Sequence, residues 1–269
     1  MTTSTEPDES FHIPIEAAEF YETAFVPAFF GQWAPILCEA AGVAAGQAVL
    51  DVACGTGIAT RTAADLIGPG GTVVGLDLNE AMLTVAKRVR PDLEWRRGDA
   101  AAIPFPDCLF DTVLCQMALM FFPDKAGALR EMCRVASVGG TVAVAVPDAL
   151  HAQPAFAPFV EMVGGYVGED AMSLLTTYFR CGDLSQLSDL VASAGLTVTH
   201  AHTHVGTYRA PSVDAAVVTE VESTPLIERI SDDVYRQIRE DAHDVYRPFT
   251  RPDGSLEAPF GSNVVVARR

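Results

Sequence analysis

From about residue 47 onward the chain alternates between short apolar runs and longer segments of helical spacing. Runs at 47–52 (QAVLDV), 72–77 (TVVGLD), 110–115 (FDTVLC) and 141–146 (TVAVAV) read as strands. Between them, apolar residues recur at helical period over about 58–67, 80–89 and 124–136. Crossovers of that length predict an α/β fold: a parallel sheet covered by helices on both faces, receiving ligands at the carboxyl ends of its strands. Asn79 and Asp124 stand where a side chain caps the second and third of these helices. Upstream, 14–42 reads as helical segments broken near Pro27 and Pro35 and ended at Gly42, preceded by residues 1–11, expected to be disordered. Past Pro147 the pattern loosens into a mixed stretch to about 180, a helix from Asp183 to about Ala194, a strand at 197–205, helices between about 212 and 247, and a last strand at 263–267. No internal repeat or low-complexity segment interrupts it.

Composition narrows the class of function. A chain of 269 residues with 49% hydrophobic residues can bury one sizeable core. Its net charge of −17 argues against a nucleic-acid partner, because phosphate binding needs Lys and Arg to displace counterions. No signal-peptide pattern and no run of about 18 apolar residues occurs, which places the expectation in the cytoplasm with no membrane partner. Six cysteines without a C-x-x-C pair suit reduced thiols.

The stretch VLDVACGTG, Val49 to Gly57, is the first candidate for chemistry. A dinucleotide fold asks for G-x-G-x-x-G, but Thr60 stands at the third small position, and Asp51 ends the strand where a pyrophosphate would lie and be repelled. A cationic ligand reverses that sign. The ammonium and sulfonium of S-adenosylmethionine would be drawn to Asp51, while Gly55 and Gly57 let the backbone approach closely. Asp77 ends the second strand, 26 residues on (77 − 51), placed to accept hydrogen bonds from both ribose hydroxyls.

Together with VVGLDLNEAML and RRGDAAAIPFPDCLFDTVLCQMALMFFPD, these residues resemble the class I S-adenosylmethionine-dependent methyltransferases. The similarity is to the group related to ubiquinone and menaquinone biosynthesis methyltransferases (methyltransferase type 11), and runs from about Tyr21 to Val146. The resemblance implies a Rossmann-like sheet, mostly parallel with an antiparallel last strand. It implies one domain from 12 to 269: N-terminal helices over 12–42, a cofactor-binding core over 43–148, and cap or substrate-binding insertions over 149–182 and 206–250. It also implies that Asp99 pairs with the adenine amino group, Ala100 offers a backbone contact and Leu78 packs on the adenine face. Gln116 and Met117 would sit beside the methionine portion, with Tyr21 and Met82 completing the cofactor site. Ala53 stands where many relatives carry the first glycine of G-x-G-x-G, and SVGGTV lacks the proline often found before the glycine pair.

The sulfonium is an activated methyl donor, so the chain's main task would be to align a nucleophile and exclude water. His151, shortly after the strand at 141–146, is a candidate base. Tyr21 and Trp33 either cover the cofactor or belong, with Phe25, Phe29 and Phe30, to a helix core. His200, His202 and His204 alternate along one strand, but no fourth ligand lies nearby in sequence, and no metal is expected. Phe156, Phe159, Met162 and Met172 suit an acceptor pocket, a subunit contact or simple core packing. The expected activity is methyl transfer to a small apolar or aromatic molecule at oxygen or carbon, with a homodimer left open. The rival readings are a non-catalytic cofactor-binding module and a nicotinamide-dependent oxidoreductase.

Overall fold

Seven strands form one sheet in the order β3-β2-β1-β4-β5-β7-β6. They are β1 (Ala48–Val52), β2 (Thr72–Asp77), β3 (Glu94–Arg97), β4 (Phe110–Gln116), β5 (Ala136–Pro147), β6 (Thr197–Ala210) and β7 (Leu256–Arg268). The computed structural model describes residues 14–222 and 226–269, so the segment 1–11 lies outside the described residues. β7 runs antiparallel to both its neighbours and every other pairing is parallel. The chain starts at β1 and builds outward in both directions, leaving the ligand crevice at the carboxyl ends of β1, β2 and β4.

The helices are α1 (Ile15–Phe20), α2 (Val26–Ala28), α3 (Trp33–Ala41), α4 (Ile58–Ile67), α5 (Glu80–Val89), α6 (Lys125–Val135), α7 (Phe156–Gly164), α8 (Glu169–Thr176), α9 (Leu184–Ser193), α10 (Val213–Val217) and α11 (Asp232–Tyr246). Asn79 accepts from the Ala81 and Met82 amides, and Asp124 from the Gly127 amide, so both expected caps form. Pro35 does not break its helix. It is the third residue of α3, where an amide hydrogen would have no intrahelical acceptor, and the interruption falls instead at Phe29 (φ −141°). Gly42 ends α3 in the left-handed conformation expected of it (φ 70°).

Three strand expectations change. β3 was not anticipated, because EWRR buries only Trp95 and a polar edge strand has no apolar run. β6 continues to Ala210, past the expected end at 205 and into the stretch assigned to the second insertion, and β7 begins at Leu256 rather than 263. For β6 and β7, pairing between the two long antiparallel strands extends the ladder through residues whose own pattern is weak.

Strand alternation divides the core. Val49 packs with Leu37, Cys38, Ala63 and Ile67 under α3 and α4, whereas Leu50 and Val52 face Leu129, Met132, Leu187 and Val191 of α6 and α9. A third apolar body is rich in aromatics: Phe29, Phe30, Trp33, Phe156, Phe159, Tyr208, Tyr246 and Phe260 join the first helices to α7, α11 and the ends of β6 and β7.

Candidate cofactor site

Because alternate side chains of β1 share a face, Asp51 follows Val49 toward α4. It is 1% exposed, and its Oδ2 accepts the Thr60 hydroxyl at 2.6 Å. Among the described residues its Oδ1 has no hydrogen-bond partner. Burial pushes the Asp51 carboxyl up to about 7; hydrogen bonds from Thr60 oppose the rise, and Asp77 adds to it.

The turn that follows takes unusual backbone angles: Ala53 (φ 56°), Gly55 (φ 56°) and Gly57 (φ 89°) all have positive φ. That explains glycine at this point, and shows that Ala53 occupies a glycine-favouring conformation with a side chain. Gly57 lies under the Trp95 ring, where an added Cβ would come within 2.2 Å of it. Gly55 faces Tyr21, whose ring and hydroxyl would lie 3.8 and 3.9 Å from a Cβ there.

Asp77 closes the turn from the adjacent strand. Its Oδ2 accepts the Gly55 amide and its Oδ1 the Asn79 amide, both at 2.8 Å. Burial raises its pKa and these backbone bonds lower it. Each oxygen keeps lone-pair capacity for a ribose hydroxyl. Leu78 is 49% exposed, an apolar side chain left open beside that carboxylate. Asp99 is exposed past β3 and accepts the Ala101 amide at 2.8 Å, with Ala100 half-buried next to it.

Gln116 ends β4, donating to the Phe30 carbonyl at 3.2 Å, while among the described residues its own buried Oε1 has no hydrogen-bond partner. Met117 follows with φ 52° and is buried. Tyr21 lies in a π-helical turn, Tyr21–Phe25, stacked on Phe25 and Phe30. Arg61 of α4 fastens this turn by pairing with Glu22 at 2.9 Å and holding the Thr56 carbonyl at 2.9 Å. Met82 is buried with Ala18 and Val85 between α1 and α5, with Tyr21 alongside. His151 is exposed on a 3-10 turn just after β5.

Thr60 and Trp95 belong to the site although the sequence reading did not select them. Thr60 carried a signal, nine residues after Asp51 on the first turn of the next helix. Trp95 carried none, since only folding shows which glycines it covers. On β6, His200 and His202 lie with ring centroids 4.7 Å apart and His204 meets Trp33 edge-on. Among the described residues no three His, Cys, Asp or Glu side chains group to hold a metal.

The residues fit S-adenosylmethionine. A desolvated carboxylate oxygen awaits a donor or cation at Asp51, Asp77 retains acceptor capacity, and Leu78 offers an apolar face. Residues 50–144 match the methyltransferase domain family. The strand order and glycine turn make the fold that of the class I methyltransferases. Curated proteins of the ubiquinone and menaquinone group are similar to it. The chain is 38% identical over 156 residues to demethylmenaquinone methyltransferase of Renibacterium salmoninarum, covering 57% of this chain and 63% of that protein. It is 41% identical over 118 residues to ubiquinone/menaquinone biosynthesis C-methyltransferase UbiE of Hahella chejuensis, covering 42% and 47%. The matched part thus spans about half to two thirds of those relatives' lengths.

Among solved structures, a Bacillus halodurans protein superposes with TM-score 0.59 at 22% identity, covering 87% of this chain and 97% of its own. The cyclase SpnF gives 0.56 at 20%, covering 89% and 80%. At such identities the likeness shows the fold, and a cyclase among the neighbours illustrates that the fold alone does not set the reaction. No described helix is long and apolar enough to cross a membrane.

Proposed function

We propose that the protein transfers a methyl group from S-adenosylmethionine to a small apolar or aromatic acceptor. The observation that carries this reading is the pair of desolvated carboxylates at the neighbouring ends of β1 and β2, Asp51 and Asp77, the second of which accepts the Gly55 amide of the glycine turn. A buried acid beside a glycine turn suits a cationic ligand and opposes a pyrophosphate. The names of the curated relatives favour carbon methylation of a quinone-type ring, and the aromatic body beside Tyr21 is chemically suited to such an acceptor.

The bound cofactor would supply an activated methyl group on a sulfonium. Asp77 and Asn79 shape the ribose end, Leu78 and Asp99 the adenine end, and Asp51, Gln116 and Met117 the methionine end. Tyr21, packed over Gly55, excludes water from the turn. Alignment of this kind can contribute roughly 7 to 11 kcal/mol to a bimolecular reaction. Calorimetric titration with S-adenosylhomocysteine, with NADH in parallel, tests the reading. Micromolar binding of the first alone supports it; binding of NADH, or of neither, overturns it.

A further inference from the structure

One cation holds both the glycine turn and the segment that covers it. Arg61 is the fourth residue of α4, directly after the Thr60 that binds Asp51. Its guanidinium donates through one terminal nitrogen to Glu22 Oε1 and through the other to the Thr56 carbonyl, each at 2.9 Å. Thr56 stands between the two positive-φ glycines of the turn, Gly55 and Gly57, and Glu22 is the chain neighbour of Tyr21. Two acceptors on separate segments are thus fixed by one planar fork, a geometry that a lysine ammonium on its flexible stem does not reproduce.

The energetics of the pair point to position rather than stability. The Arg61 and Glu22 side chains are 12 and 18% exposed, and the second Glu22 oxygen is buried with no hydrogen-bond partner among the described residues. Desolvation of two charges largely offsets their attraction in such a setting. What the pair supplies is a fixed relation between the first helices and α4. The other ion pair of this segment, Glu19 with Arg88 at 2.6 Å, is about half exposed on both sides, where solvent screens it and it holds little.

The backbone carries that relation to Tyr21. Tyr21–Phe25 is a single π-helical turn, a feature frequent at functional sites, and the helical run that begins at Ile15 breaks at Phe29 (φ −141°). Neighbouring side chains of a helical turn diverge, so drawing Glu22 toward α4 leaves Tyr21 over Gly55 and stacked on Phe30 at 5.0 Å. Thr60 and Arg61, consecutive in the chain, therefore serve the turn from two sides: one binds the acid beneath it and the other pins its cover.

We propose that Arg61 is a positioning residue: by holding Glu22 and the Thr56 carbonyl together it fixes Tyr21 over the glycine turn and slows escape of the molecule bound there. The identity of that molecule, S-adenosylmethionine or its product, rests on the methyl-transfer reading. The effect falls on the dissociation rate, because a displaced cover removes a barrier to leaving without changing the groups met on arrival.

The test follows release of radiolabelled S-adenosylhomocysteine after a chase with the unlabelled compound. It is paired with hydrogen exchange at the amides of Tyr21–Phe25 in protein without added ligand. Arg61→Met keeps the length of the side chain and loses both bonds. It is expected to release the compound about tenfold faster, with association changed by less than about twofold. Tyr21→Ala is expected to do the same, and the double variant to be no faster than either single one, because Arg61 acts through Tyr21. Arg61→Lys, which keeps the charge without the fork, should fall between wild type and Arg61→Met. A merely structural pair would lower the melting temperature of Arg61→Met and leave its release rate unchanged, which overturns the proposal, as do rate increases that multiply in the double variant. If Arg61→Met does not fold, Glu22→Gln takes its place: it keeps an uncharged hydrogen bond, release roughly threefold faster is expected, and an unchanged rate overturns the proposal. Failure of wild type to bind S-adenosylhomocysteine strikes the methyl-transfer reading, and hydrogen exchange then decides the positioning role alone. Faster exchange across Tyr21–Phe25 in Arg61→Met supports it, and unchanged exchange overturns it.

Discussion

Thr60 donates its hydroxyl to Asp51 Oδ2 at 2.6 Å, tying the first turn of α4 to the carboxyl end of β1. Among the described residues the other Asp51 oxygen is buried without a hydrogen-bond partner, and the bond works against the desolvation that raises this carboxyl's pKa. A threonine that looks like a failed glycine in a nucleotide motif is thereby a tuning group for an acid.

Asp51 gives the cofactor site a pH dependence of definite sign. Its folded pKa is raised from 3.8 to about 7, so the stability it contributes is full below about pH 4, declines between the two values and is lost above about 7. A cationic cofactor favours the ionised form, so affinity for S-adenosylmethionine should rise with pH through about 7. Thr60→Val removes a bond that lowers this pKa and should move the midpoint upward. Calorimetry across pH checks both; a flat wild-type profile contradicts them.

Asp77 should carry ribose recognition. Asp77→Ala is expected to weaken S-adenosylhomocysteine binding by more than about 1 kcal/mol, of order tenfold, because charge-assisted hydrogen bonds are lost. Circular dichroism confirms that the variant is folded, and unchanged affinity in a folded variant would remove Asp77 from the ribose site.

Ala53 sits at φ 56°, a conformation that costs a side-chain-bearing residue roughly 1 to 2 kcal/mol. Glycine relieves this but gains freedom in the unfolded chain, worth about 0.5 to 1 kcal/mol. Ala53→Gly is therefore expected to raise the melting temperature by about 2 to 4 °C at most, with cofactor affinity retained. A clear drop in melting temperature would mean that the alanine methyl packs more favourably than its backbone angle costs.

Trp95 defines the other side of the turn. A Cβ at Gly75 would fall 2.6 Å from the Trp95 ring and 2.9 Å from Cys54 Sγ, so Gly75→Ala should destabilise by about 1 to 3 kcal/mol. Adding Trp95→Leu should restore part of the loss if the ring is the obstacle. Denaturant unfolding of the single and double variants measures the coupling, and strict additivity would contradict the contact.

The sequence by itself determined the alternation of β1, β2, β4 and β5 with the helices between them, the caps at Asn79 and Asp124, and the acids at 51 and 77. Each rests on local periodicity, a capping side chain or a residue at a strand end, and these are legible within a few positions of chain. Only the tertiary structure decided the rest. β3 exists because β2 offers it an edge, not because EWRR favours a strand. The turn Tyr21–Phe25 comes to rest over Gly55 because Arg61, about 40 residues away, holds Glu22. Asp51 becomes a perturbed acid only when α4 packs over the end of β1 and brings Thr60 against it. Desolvation depends on what surrounds a group in space, and no pattern along the chain carries that information.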